Sequence, residues 1–221
     1  MTPPHPPTAA PDRAAPAGRL YDAALGGRAS LIARAADGIA WPLDVTRWLG
    51  PAGGADLRLL TRAAGPVLDV GCGPGRHVRA LVASGTEALG LDVSRAAVAT
   101  ARAGGAPVVH GNVFGPVPDA GRWRTALLLD GNLGIGGDPV ALLRRVAALL
   151  ATKGTILVEA DPPGTGLARA AVRLDDGRLL SEPFPWARVG IDALAAVARA
   201  AGLGIAASWD DEGRWFAQLA P

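Results

Sequence analysis

The chain has 221 residues, 49% of them hydrophobic and 19% charged, with 22 basic and 20 acidic side chains. That is enough sequence for one domain with a buried core, and a single cysteine (Cys72) beside three histidines excludes a disulfide framework and a Cys/His zinc site. The net charge of +2 comes from scattered basic residues, which argues against a nucleic-acid partner, and no apolar run reaches the ~18 residues of a membrane span. The first residues lack the basic and apolar regions of a secretion signal, so a cytoplasmic protein is expected. Lys153 is the only lysine and alanine is abundant, a bias that lowers the information carried by any single Arg or Ala.

Residues 1–18, MTPPHPPTAAPDRAAPAG, are too rich in proline for helix or ladder and too poor in apolar mass to dock, so disorder is expected there. Residues 19–64 read as a helical cap. Leu20, Ala23 and Ala24, then Leu31, Ile32, Ala35 and Ala36, recur at three- and four-residue spacing, and no strand is evident. Asp44 is placed to cap a helix over Val45–Leu49, and Ala55–Ala64 reads as another.

From Pro66 short apolar runs alternate with helical stretches. Strands are expected at Val67–Val70, Ala88–Asp92, Val108–His110, Thr125–Asp130 and Thr155–Glu159. Helices are expected at His77–Ala83, Arg95–Ala103, Pro139–Ala151 and Ile191–Ala201. Two last strands, Gly204–Trp209 and Trp215–Leu219, flank a turn at Asp211-Glu212-Gly213 and form a hairpin. A Pro/Gly-punctuated insert at 161–185 suggests a small hairpin, Ala171–Leu174 with Arg178–Leu180. Strand–helix alternation implies an α/β fold on a mostly parallel sheet, covered on both faces.

The most informative stretch is Asp69-Val70-Gly71-Cys72-Gly73-Pro74-Gly75-Arg76. A buried strand ends in three alternate glycines before a helix begins, so a ligand can lie against bare backbone at the carboxyl end of the first strand. The dinucleotide fingerprint G-x-G-x-x-G wants its third glycine where Arg76 stands. The spacing, with an acid two residues before the loop, resembles motif I of the class I S-adenosylmethionine-dependent methyltransferases, and the Asp130-to-Asp138 run resembles small actinobacterial members of undefined substrate.

That resemblance implies a seven-stranded Rossmann-like methyltransferase sheet over about residues 65–221, with S-adenosyl-L-methionine as cofactor. It implies that Asp69, Gly71, Cys72, Gly73 and Gly75 form the cofactor loop. Asp92, at the end of the second strand with Val93 beside it, would accept the ribose hydroxyls. Asn112 and Val113 would meet the adenine, Asn112 standing where the family usually has an acid. Asp130 and Asn132, after the fourth strand, become the candidates for the methionine end and the catalytic centre. Tyr21 and Asp22 lie in the first helix, where members of that family often close over the cofactor, although simple packing is the favoured account of them, and Trp41 and Trp48 are candidate pocket walls.

An in-line transfer to a small-molecule acceptor by a monomer or homodimer, without nucleic acid or membrane as partner, is the expectation. The alternatives are an NAD(P)-dependent oxidoreductase and a cofactor-binding regulatory module.

Overall fold

The computed structural model describes residues 15–27 and 30–221; the stretch 1–14, and with it most of the expected tail, lies outside the described residues. Residues 15–18 depart from the expected disorder. Ala15 is buried in a bridge to Ser181, and helix α1 (Ala17–Leu25) begins two residues later.

The main sheet joins seven strands: β3 (Val67–Val70), β4 (Ala88–Asp92), β5 (Val108–His110), β6 (Trp123–Leu128), β7 (Leu150–Ala160), β10 (Gly204–Asp211) and β11 (Arg214–Ala220). Their order is β10-β11-β7-β6-β3-β4-β5, parallel except for β11, which runs antiparallel to both neighbours. Alternation along each strand sends side chains to two cores. Leu68, Val70, Ala126 and Leu128 face α6 (Pro139–Ala147) and α7 (Ile191–Ala200); Val67, Leu127 and Leu157 face α3 (Gly54–Leu60), α4 (Arg76–Ala83) and α5 (Arg95–Ala103). Burial on both faces explains why these strands read as unbroken apolar runs.

The helix starts follow local chemistry. The Ser94 hydroxyl accepts from the Ala97 N–H at 2.9 Å to cap α5, and the Asp138 carboxylate accepts from Val140 and Ala141 ahead of α6, with proline in its first turn. Asp44 caps α2 (Val45–Leu49), accepting from the Arg47 N–H at 3.0 Å. Helix α6 stops at Ala147 rather than Ala151, because Leu150 and Ala151 open β7. The apolar spacing runs on across the boundary and no glycine marks it.

A second sheet was not expected. Residues 31–43 form β1 (Leu31–Ala35) and β2 (Ala40–Leu43) instead of helix, and β1 pairs with β8 (Leu167–Asp175) from the insert, which in turn pairs with β9 (Phe184–Val189). The cap is therefore helical only at α1, α2 and α3. In β1 burial alternates, Leu31 and Ala33 inside and Ile32 and Arg34 outside, a two-residue period too short to stand out from alanine-rich helical spacing. The hairpin expected across Asp175–Gly177 shrinks to one bridge, Asp175 to Leu180, and the true partner of β8 lies beyond it in β9. Helix α1 packs on this sheet through Leu20, Ala24 and Leu25.

Phe216 of β11 is fully buried in the core under α3, α4 and α5. Phe216→Ala is expected to cost about 3–5 kcal/mol, read from the urea midpoint at unchanged slope.

Candidate functional site

Chain connections leave β3 toward β4 on one side, while β6 pairs β3 on the other, so the sheet opens a crevice at the carboxyl end of β3. The loop Gly71–Gly75 fills that end. Gly73 has φ 52°, a left-handed backbone that favours glycine, and a Cβ there would press on the Tyr21 hydroxyl at 3.2 Å. Gly71 has φ 72°, and a Cβ there would collide with the Asn132 amide at 2.7 Å.

Asp92 ends β4 with its carboxylate buried against this loop. Its Oδ2 accepts from the Gly73 N–H and its Oδ1 from the Ser94 N–H, both at 2.8 Å. Burial pushes this carboxyl up, and the two N–H donors hold it back. The Ser94 hydroxyl donates to Asp22 Oδ1 at 2.6 Å, so a chain of hydrogen bonds runs from α1 through Ser94 and Asp92 to the glycine loop. Val93, beside it, is 65% exposed.

After β5, Asn112 is exposed and its Oδ1 accepts from the Phe114 N–H at 3.0 Å, while buried Val113 has its carbonyl held by Arg145. Asn132 lies in a short 3-10 turn over Asn132–Gly134, where its amide donates to the carbonyls of Val70 and Gly71 at 2.9 Å and braces the loop. Cys72 is buried, and burial with Asp69 and Asp92 nearby pushes its thiol far up, so it packs rather than reacts.

Asp130 follows β6 with a left-handed backbone, φ 56°, and its N–H donates to Glu159 at 2.9 Å. Its carboxylate takes one 2.7 Å hydrogen bond from Arg47 and two from Arg76, at 2.7 and 3.0 Å. Burial raises this carboxyl, but the Arg76 hydrogen bonds and the charges of His77, Arg76 and Arg47 outweigh it and hold it below the usual carboxylate range. Arg76 also reaches Asp56, and Arg214 of β11 bridges Asp56 at 2.6 Å and Glu159 at 2.7 Å. None of Asp56, Arg76, Glu159 or Arg214 stood out from the sequence as a site residue. The available signal was Arg76 itself: a cation opening a helix sits at the wrong end of the dipole unless carboxylates receive it.

His77 is buried beneath the same network. Its Nε2 lies 3.4 Å from Asp56 and its Nδ1 3.7 Å from Asp69, so the attraction is mainly between charges. Burial pushes the ring down, but the Asp56 and Asp69 carboxylates more than offset this and push it up to about 9, against the ordinary 6.5.

These elements close around one cavity of about 350 Å³. On one side it is lined by the loop, Asp92, Val93, Asn112, Val113 and Asp130. On the other it is lined by the second sheet and α2, through Trp41, Trp48, Val172, Leu174, Phe184 and Trp186. The cradle fits an adenosyl ligand: bare backbone at Gly73, an acceptor carboxylate at Asp92, and an apolar neighbour at Val113. The cofactor residues expected from the sequence, Asp69 apart, all line this one cavity or, like Gly75, shape the loop; Asp69 lies behind it against His77.

Because the folded pKa of His77 is raised, the stability it contributes is fully present below about pH 6.5 and is lost as pH rises through about 9. The gap in urea midpoint between the native chain and His77→Gln is expected to narrow steadily from pH 6 to pH 10. Arg76→Met leaves Asp56 to Arg214 and His77 and leaves Asp130 to Arg47, and is expected to cost about 1.5–3 kcal/mol in the same measurement.

Residues 67–154 match the family model described as "Methyltransferase domain". No curated protein matches the chain in sequence. Among solved structures, a S-adenosylmethionine-dependent methyltransferase from Bacteroides fragilis, in complex with S-adenosyl-L-homocysteine, superposes with TM-score 0.75 at 22% identity, covering 96% of this chain and 97% of that one. The 1,6-didemethyltoxoflavin-N1-methyltransferase of Burkholderia thailandensis superposes with TM-score 0.63 at 18% identity, covering 97% and 93%. An amino pentose methyltransferase from Micromonospora echinaspora gives 0.54 at 18% identity, covering 75% and 88%. Residues 67–154 thus match a methyltransferase domain, and the chain as a whole has the fold of solved S-adenosylmethionine-dependent methyltransferases.

Proposed function

We propose that this methyltransferase acts on a small-molecule acceptor held in the half of the cavity opposite the glycine loop. One observation carries the reading: the glycine loop and the second sheet line a single cavity, so that a largely apolar, aromatic wall faces the cofactor cradle. The solved relatives include enzymes titled for an amino pentose and for 1,6-didemethyltoxoflavin, which supports a small acceptor here.

The residues divide the work. The backbone of Gly71–Gly73 receives the cofactor, Asp92 accepts from its ribose hydroxyls, and Asn112 and Val113 border the adenine. Bound there, S-adenosylmethionine supplies a methyl carbon already activated on a sulfonium, so that the acceptor's electron pair forms the new bond while the carbon–sulfur pair stays on sulfur. The chain's part is to hold the acceptor in line and exclude water. Asp130 and Asn132 act as positioning residues: both Asp130 oxygens are engaged by arginines, and the Asn132 amide is spent on the loop. Tyr21 and Asp22 close the near side through the Ser94 contact.

Asp92→Ala is expected to weaken S-adenosyl-L-homocysteine binding by about ten- to a hundredfold in calorimetric titration, the loss of a charge-assisted hydrogen bond, with an unchanged circular dichroism spectrum. Asp92→Asn, which keeps one acceptor oxygen, is expected to fall between; unchanged affinity in both would remove the ribose assignment. Incubation with methyl-labelled cofactor and a host extract is expected to label a low-mass product, and label confined to protein or nucleic acid would overturn the small-molecule reading.

A further inference from the structure

We infer that the acceptor is a planar aromatic compound, methylated at an atom that already carries a free electron pair, such as a ring nitrogen or a phenolate oxygen. The inference rests on the small-molecule reading and names the chemistry of its acceptor. Two observations carry it together: the composition of the chamber wall, and the engagement of every titratable group around it.

The wall opposite the loop is built from Trp41, Trp48, Val172, Leu174, Phe184 and Trp186, with no acid, base, hydroxyl or thiol among them. Three of the chain's six tryptophans stand there. The rings are braced. Phe184 and Trp186 meet edge to face with centroids 6.0 Å apart, and Trp48 lies 6.1 Å from Tyr21. Arg188, itself clamped to Asp161 at 2.6 and 2.8 Å, sits 5.1 Å from the Trp41 centroid. Walls of this kind reward flat ligands, because ring faces and edges recognise one another at little cost in side-chain freedom. A saturated ring of equal size makes fewer such contacts.

Among the described residues, the titratable groups bordering the cavity are Tyr21, Cys72, Arg76, Asp92 and Asp130. Asp130 receives three arginine hydrogen bonds, and Asp92 receives two from the backbone. Arg76 is a cation locked between two carboxylates, and Cys72 is buried in the loop. Burial, with Asp92 beside it, pushes the Tyr21 phenol far up, so it keeps its proton. Among the described residues bordering the cavity, each carboxylate is already engaged by arginines or backbone N–H groups, which does not favour taking a proton from an aliphatic alcohol during transfer. An acceptor that brings its own electron pair needs none taken, and any proton left on a cationic product passes to water afterwards.

The test is calorimetric titration with 2-naphthol, isoquinoline and decahydro-2-naphthol, each with and without saturating S-adenosyl-L-homocysteine. Both planar probes are expected to bind at least tenfold tighter than the saturated one. Trp186→Leu and Trp41→Leu are each expected to weaken 2-naphthol by about three- to tenfold, the range of an aromatic contact, while leaving S-adenosyl-L-homocysteine affinity within twofold. Trp41 lies half-buried on the outermost strand of the four-stranded sheet, which keeps the comparison sound should Trp186→Leu not fold. Equal binding of planar and saturated probes, indifference to both tryptophan variants, or transfer of labelled methyl to decahydro-2-naphthol would overturn the inference. Failure of S-adenosyl-L-homocysteine itself to bind would instead count against the proposed function, and the titrations without it still read the aromatic chamber.

Discussion

Four carboxylates, Asp56, Asp69, Asp130 and Glu159, converge beneath the carboxyl edge of the main sheet, and the site depends on the cations that neutralise them. Arg76 and Arg214 are the two that reach furthest. Arg76 ties the start of α4 to α3 and to the turn after β6, and Arg214 ties the last strand to α3 and to β7. Arg47 adds α2 at the exposed side, and His77 fills the buried side against Asp56 and Asp69. Counted as charges, three guanidiniums and one imidazolium face four carboxylates. Buried ion pairs of this kind return little net stability against an apolar alternative, because desolvation offsets most of the attraction. Their consequence is geometric: parts of the chain 158 residues apart, Asp56 and Arg214, are held in one arrangement.

That arrangement determines what the cavity offers. The left-handed turn at Asp130 directs its carboxylate to the arginines and its N–H to Glu159, which presents the following Asn132 to the glycine loop. The loop is thus braced from behind by an amide and from the side by Asp92. A cradle of bare backbone gains its selectivity from such rigidity, since glycine alone leaves the chain too free. The same bracing removes Asp130 from proton chemistry. Its carboxylate is engaged by Arg47 and Arg76 and held below the usual carboxylate range, in keeping with the proposed positioning role.

Much of the cofactor half was legible in the sequence because its determinants are local. Three alternate glycines after an apolar strand describe their own turn, Asp92 ends a strand and precedes a capping serine, and α5 and β5 fall where spacing puts them. The acceptor half was not legible, and the reason is physical. Strands β1 and β2 are short, and β1 pairs with β8 about 140 residues later in the chain, so the stability of the hairpin comes from a partner that no local window contains. Trp41 and Trp48 could be suspected as pocket walls, but Phe184 and Trp186 join them only once β8 and β9 have added to β1. Arg76 illustrates the intermediate case. Its place at the missing third glycine argues against a dinucleotide fingerprint, yet its two carboxylate partners, Asp56 and Asp130, come from two separate segments.

The two sheets also divide two kinds of specificity. The main sheet presents polar, directional groups at its carboxyl edge, namely backbone amides, one carboxylate and one side-chain amide, and these suit a ligand rich in hydroxyl and amino groups. The four-stranded sheet presents faces of indole and phenyl rings, which discriminate by shape and polarisability and tolerate rotation of a flat ligand in its plane. Methyl transfer needs the first ligand held in one pose and the second brought into line with it. Helix α1 joins the halves: its Tyr21 borders the glycine loop and meets Trp48, while its Leu20 and Leu25 pack in the core of the second sheet. The contact of α1 with Ser94 through Asp22 therefore ties one helix to the glycine-loop side through Asp92 and to the aromatic side through Trp48.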